Sequence, residues 1–309
     1  MLDQFEIYCL IDTSRAFEEA LYEMMIFHVA HIKHSQKSIK CGYLTKDKLE
    51  IFSLERSYYN EERFYLGFPK NYLSILANVS KKCSPVSGYI DFWYGKGGMT
   101  PLVNKSGRGI KLLTGKEIQR YHFSEDELPW YLDEKYVNDD DKKTIKFEKV
   151  VVQDIVAHIT QPIPHIKITA TLDTEKRFCL NTVMCFAENE KGLKNKTLLA
   201  LLNSKFISFY YYIFIYNQAI RTMHFMPGYA DLLPIPDNII NKQNELIRIV
   251  DKILKAKKNN PKADTSALES KIDLMVYKLY NLTYEEVKIV DPKIENIVSE
   301  KEYEQFEIK

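Results

Sequence analysis

Chemistry in this sequence has few places to sit. His28, His31 and His34 recur every third residue. That spacing would gather three imidazoles for a metal ion if the stretch were helical, but side chains at the end of an element satisfy it equally well, and no metal is expected. Glu286-Val-Lys288 reproduces three positions of a metal-dependent nuclease signature, without a Pro-Asp at a useful distance before it. It falls inside a capped surface helix, so chance is the preferred reading. The five cysteines, at positions 9, 41, 83, 179 and 185, form no Cys-x-x-Cys pair. An odd number of unpaired cysteines argues for reduced thiols rather than a zinc site or a disulfide framework. An enzyme that methylates adenine in DNA needs a (Asn/Asp)-Pro-Pro-(Tyr/Phe) loop to hold the extruded base. No Pro-Pro occurs anywhere in the chain. Gly95-Lys-Gly-Gly98 does not fit a phosphate loop between a strand and a helix; it reads as a close backbone approach or as a plain turn. No catalytic residue is therefore expected in this chain.

The segment between residues 81 and 120 fits a different kind of chemistry. It holds Lys81, Lys82, Lys96, Lys105, Arg108, Lys111, Lys116 and Arg120 against only Asp91 and Glu117. Tyr89, Trp93, Tyr94 and several glycines lie among them. Lysine and arginine neutralise phosphates, and arginine can also read guanine through two hydrogen bonds in the major groove. A solvated charged face is the competing reading. The acidic run that follows, ending in Asp139-Asp140-Asp141, hides the imbalance, and the whole chain carries a net charge of only +1.

The elements that must position these residues are legible in part. Met24, Met25, Phe27 and Val29 fit either a buried strand or a helix. Residues 40–125 carry short apolar runs broken by Leu66-Gly-Phe-Pro69 and Tyr94-Gly-Lys-Gly-Gly98, a β-rich texture. Residues 125–148 read as a solvated loop. Strands are expected at 149–155, 166–170 and 181–186, and one buried helix over 196–216. Pro234 and Pro236 forbid helix there and favour extended backbone. Leu246, Ile249, Val250, Ile253 and Leu254 make one apolar stripe, and Leu268, Ile272, Met275, Val276 and Leu279 make another. Ser266 with Glu269, and Thr283 with Glu286, have capping-box spacing. The expected fold is α+β: a mixed-sheet domain closed by an antiparallel pair of long helices. No signal sequence and no membrane span is evident, since the longest apolar run, Phe206 to Tyr216, is too short to cross a bilayer. The chain reads as cytoplasmic.

Leu232-Leu-Pro-Ile-Pro236, Ile249-Val-Asp-Lys-Ile-Leu254 and Asp264-Thr-Ser-Ala-Leu-Glu269 precede a more specific string, Ile272-Asp-Leu-Met-Val-Tyr-Lys-Leu-Tyr-Asn-Leu-Thr283. Together they resemble the end of type IIG restriction–methyltransferase polypeptides, the TaqI-like C-terminal specificity domain. Leu113-Thr-Gly-Lys-Glu-Ile-Gln-Arg-Tyr121, Leu199-Ala-Leu-Leu-Asn-Ser204 and Met223-His-Phe-Met-Pro-Gly228 are similar to further segments of that family, more loosely. Asp12-x-Ser-x-x-Phe17 resembles the tail of the methyltransferase fold. The resemblance implies residues 1–39 as that tail, 40–236 as a DNA target-recognition domain, and 237–309 as a helical hairpin with a C-terminal helix. It implies double-stranded DNA as one partner and a methyltransferase catalytic domain or subunit as the other. That catalytic part, expected outside this chain, would hold S-adenosylmethionine. Expected DNA contacts are Lys96, Arg108, Lys111, Lys116, Arg120 and Arg221, with Tyr121 as a stacking or phosphate ligand. An active methyltransferase with unusual motifs and a protein–protein adaptor built on the helical pair are the alternatives.

Overall fold

The computed structural model of the chain describes residues 5–14, 24–31, 36–44, 48–59, 63–124, 129–159, 164–219 and 222–308. The fold is mixed α+β and divides into two compact units. One takes residues 1–81 and 210–221, the other residues 82–209 and 222–309.

The first unit is built on a four-stranded sheet of β1 (Glu6–Ser14), β2 (Met24–Ala30), β3 (Ser38–Leu44) and β4 (Leu49–Glu55), in the order β2-β1-β3-β4. β1 pairs antiparallel with β2 and parallel with β3, so residues 24–30 are a strand. A strand does not gather residues three apart: His28 stacks on Tyr8 and His31 meets Phe5 edge-on, while His34 lies outside the described residues. Asp12 is within β1, and Arg15 to Phe17 of the expected turn lie outside the described residues. A division at residue 39 would cut β3, whose hydrogen bonds to β4 run from Ser38 to Leu44; the units part near residue 81 instead. Helix α1 (Leu73–Lys82) stands within the stretch expected to be β-rich, burying Ile75, Leu76 and Val79 on one face. Residues 210–219 return to this unit through Phe214, whose ring meets Tyr65 and Phe68. Asn217 Nδ2 donates to the Phe64 carbonyl at 3.1 Å, and Gln218 Nε2 to that of Gly67 at 3.2 Å.

The second unit holds several small sheets. β5 (Cys83–Pro85) and β6 (Asp91–Tyr94) are followed by β7 (Ile110–Leu113), β8 (Ile118–Gln119), β9 (His122–Phe123) and β10 (Trp130–Leu132). After helix α2 (Asp139–Thr144) come β11 (Lys149–Gln153), β12 (Ile155–Ile159), β13 (His165–Lys167), β14 (Ala170–Asp173), β15 (Phe178–Cys179) and β16 (Val183–Ala187). One sheet runs β14-β11-β16-β6, and a second runs β10-β7-β15. Successive residues of β7 point to opposite sides. Leu113 joins Ile118, Val151, Cys179, Val183 and Cys185, whereas Leu112 joins Leu132, Val137, Phe178 and Leu180.

Helices α3 (Asn195–Leu202) and α4 (Lys205–Tyr210) stand where one helix was expected. They meet at a 61° bend. Asn203, at the bend, gives its side chain to β14 instead of to the helix: Nδ2 donates to the Ala170 carbonyl at 3.0 Å and Oδ1 accepts from the Ala170 amide at 3.2 Å. Among the described residues no single helix is long and apolar enough to cross a membrane.

The acidic run is not a plain loop. Asn138 and Asp141 form a capping box, and α2 follows because three acids in the first turn suit a helix N-terminus. Then come β17 (Met223–His224), α5 (Pro227–Ala230) and β18 (Pro234–Pro236). β18 is extended as the prolines require and pairs with β5. The chain closes with α6 (Gln243–Asn259), α7 (Ser266–Leu279), α8 (Tyr284–Val290) and α9 (Glu300–Gln305). Thr283 and Glu286 form their capping box. Ser266 and Glu269 do not: Thr265 stands at the N-cap, and its hydroxyl donates to Glu269 at 2.7 Å.

Candidate nucleic-acid interface

Arg108 sits on a loop held at both ends against β10. Asn104 and Tyr131 exchange backbone hydrogen bonds at 3.0 and 2.9 Å. Gly109 has φ +105, and a Cβ there would lie 2.2 Å from the Leu132 carbonyl oxygen, so only glycine lets the loop run this close. Arg108 is exposed and meets no carboxylate among the described residues. Lys105, from the same loop, places Nζ 4.3 Å from the centre of the Trp130 ring.

Lys116 is likewise exposed, on a turn that Glu117 organises. The Glu117 carboxylate is fully buried and accepts from the Thr114 amide at 2.8 Å and the Thr114 hydroxyl at 3.0 Å. Its side chain turns inward, and Lys116 is left pointing out.

The other expected contacts are already engaged. Lys96 Nζ pairs with Asp141 of α2, so the acidic run folds back onto the basic one. Lys111 Nζ pairs with Glu175 at 3.0 Å. Arg120 and Tyr121 form the two-residue turn between β8 and β9. Arg120 Nη2 lies 2.5 Å from Glu269 Oε2 on α7. Burial by itself would raise the Glu269 carboxyl, but the Arg120 charge and the Thr265 hydroxyl outweigh it and hold the group below its ordinary value. Tyr121 takes φ +64 and is only 1% exposed, so its ring is packed inside the fold and is not open to a base. Burial pushes its phenol above the ordinary range. Arg221 lies outside the described residues.

An open cleft of about 550 Å³ borders Lys111, between the strands carrying Phe123 and Trp130 and the end of α6. Arg177, Lys257 and Lys258 also face it. None of these four was singled out from the sequence as a contact except Lys111. The signal was present in the Lys257-Lys258 pair, but as the end of a helix it reads as solvated charge. Among the described residues no three His, Cys, Asp or Glu side chains gather to hold a metal ion. Gly95 belongs to a close approach within the chain itself: a Cβ there would lie 2.0 Å from the Leu180 carbonyl oxygen.

Residues 110–235 match the family model of the TaqI-like C-terminal specificity domain. Among solved structures, the type IIL restriction-modification enzyme MmeI in complex with DNA is similar at 10% identity and a TM-score of 0.43, over 98% of this chain and 46% of that one. The HsdS subunit from Thermoanaerobacter tengcongensis is similar at 12% identity and a TM-score of 0.30, over 67% of this chain and 50% of that one. The chain thus spans about half the length of each. No curated protein matches it. The matched span runs from the first residue of β7 to the middle of β18.

Proposed function

We propose that this chain reads DNA as the specificity part of a cytoplasmic restriction–modification system of the type IIG kind, acting on adenine. The observation that carries the reading is the specificity-domain match over residues 110–235. Beside and within that span, Arg108 and Lys116 are exposed on turns whose backbones are fixed by Gly109 and Glu117. Fixed backbone with an uncompensated cation is what a phosphate or base contact needs. Lys96, Lys111 and Arg120 would reach DNA only by exchanging a carboxylate for a phosphate. Arg221 is retained as a contact on the sequence reading alone.

Methyl transfer and S-adenosylmethionine belong, in this reading, to a methyltransferase catalytic domain or subunit. The helices α6 and α7 close the domain as an antiparallel pair, a view supported by the short connection at 260–265 and the Lys271–Glu245 ion pair at 2.7 Å.

A salt titration of binding to duplex DNA tests the function. The logarithm of the affinity should fall linearly with the logarithm of salt concentration, with a slope near −0.9 per neutralised phosphate. Replacing Arg108 and Lys116 together by glutamate should weaken binding by roughly tenfold or more and flatten the slope by about 2. An affinity indifferent to salt would overturn the proposal.

A further inference from the structure

The cleft beside Lys111 is a place where positive charge is collected and left over. Among the described residues Glu175 is the one carboxylate on its wall, and it is shared: Lys111 reaches it at 3.0 Å and Arg177 at 2.7 Å. Behind it the buried Asp173 carboxylate is shared in the same way, by Arg177 at 3.1 Å and Lys149 at 2.8 Å. Lys257 is held by carbonyls, those of Ala263 at 2.8 Å and Pro261 at 3.3 Å, and its charge also helps to hold the Asp264 carboxyl below its ordinary value, after the Ser266 hydrogen bonds. Lys258 is exposed and meets no carboxylate among the described residues. Among the described residues cations thus outnumber carboxylates on this wall, which suits an anion.

The rest of the wall narrows the anion. Trp130 borders the cleft, and Phe123 lies under the Arg177 guanidinium at 4.6 Å. Rings beside ammonium groups suit a ligand with an apolar ring next to its charge, as in a sugar phosphate. A cleft of about 550 Å³ is the size of a small-ligand site. Inorganic anions need no such walls.

We infer that this cleft seats one nucleotide unit of the bound DNA, its phosphate on Lys257 and Lys258 and its deoxyribose along the Trp130 ring. This rests on the DNA-reading function proposed above and adds to it a contact from the last turn of α6, outside the span of the specificity-domain match. The contact is to backbone, so it strengthens binding to every sequence alike.

The test uses the full chain and a variant, Lys258→Glu, whose exposed side chain makes no contact that folding requires. A second variant, Lys257→Gln, removes the other proposed phosphate ligand and guards against an idiosyncratic effect of the first. Each is titrated with a short duplex over a range of salt. Each is also titrated with a nucleoside monophosphate by tryptophan fluorescence, in a Trp93→Phe background that leaves Trp130 as the reporter. The expected result is a salt slope flatter by about 1 in each variant, with cognate and non-cognate duplexes weakened by the same factor. Quenching of Trp130 by the nucleotide, lost in Lys258→Glu, would assign the cleft to free nucleotides as well; a changed slope without quenching assigns it to DNA alone. If the parent chain quenches with nucleotide but binds no duplex, the DNA-reading function falls and the phosphate site stands. If the parent binds duplex with a steep slope and neither variant alters slope or quenching, the cleft assignment falls and the DNA-reading function stands.

Discussion

At the scale of single residues, backbone conformation decides which side chains face solvent. Tyr121 holds φ +64 with a bulky side chain, a combination that persists only where packing over-determines it. Its buried ring supplies that packing, and its amide donates to the Ala170 carbonyl at 3.0 Å. The loop carrying Arg108 offers an internal control. Gly107 has φ +77 with open space around it, whereas Gly109 has φ +105 with the Leu132 carbonyl in the way. Gly107→Ala should cost about 1 kcal/mol, the price of a left-handed alanine. Gly109→Ala should cost at least twice that, roughly 2–3 kcal/mol, because the backbone must also move. Urea unfolding of the two variants checks the order; equal losses would mean the loop is not pinned against β10.

Elements explain why the string from Asp273 to Thr283 is so particular. Asp273 accepts from the Lys205 amide at 2.9 Å, which caps the start of α4 with a residue of α7. Tyr280 donates to the Pro234 carbonyl at 2.6 Å and so ties α7 to β18. Asn281 turns left-handed, with φ +52, to end the helix, and Thr283 caps the next one. Each position is chosen by hydrogen bonding between elements, not by contact with a ligand. Thr283→Ala should therefore lower stability by about 1 kcal/mol and leave DNA affinity unchanged. The buried cluster of Lys149, Asp173 and Arg177 joins β11, β14 and the approach to β15. Lys149→Met removes one partner and strands part of a buried carboxylate charge, with an expected loss of roughly 3–5 kcal/mol by thermal or urea unfolding. A small loss would show that Arg177 alone satisfies Asp173.

For the molecule as a whole, stability should carry a pH signature from Asp273. Burial raises its carboxyl from 3.8 to about 6, against the pull of the Lys205 amide and of the Lys205 and Arg120 charges. A folded-state value above the unfolded one means that the folded chain binds the proton more tightly. The stabilisation from that proton is complete below about pH 4 and is lost as the pH rises through about 6. The difference corresponds to something on the order of 3 kcal/mol. Asp273→Asn keeps an acceptor for the Lys205 amide and carries no charge to desolvate. It should be more stable than the parent at pH 8 and nearly equal to it at pH 4, read from unfolding midpoints across that range. An advantage that did not shrink on acidification would assign the effect to something other than ionisation.

By itself the sequence determined the features that local chemistry dictates. Prolines at 234 and 236 had to be extended, the apolar stripes of α6 and α7 had to be buried, and the Thr283–Glu286 spacing had to cap a helix; all three hold, except that Leu254 and Leu268 of the stripes are only half-buried. The TaqI-like character was legible mainly in the strings between residues 232 and 283, whereas the family model matches residues 110–235, which hold the more loosely similar segments 113–121, 199–204 and 223–228. Tertiary structure decided the rest, since it depends on partners far apart in sequence. Asn203 breaks a helix because β14 competes for its amide. Glu269 leaves Ser266 because Arg120, from a distant hairpin, lies within reach. The largest change was to the basic stretch. Counted along the chain its cations looked equivalent, but Asp141, Glu175 and Glu269 engage three of them, while Lys257 and Lys258 arrive from the other end of the unit to face Lys111. Charge acts through space, so which cations remain available is a property of the fold.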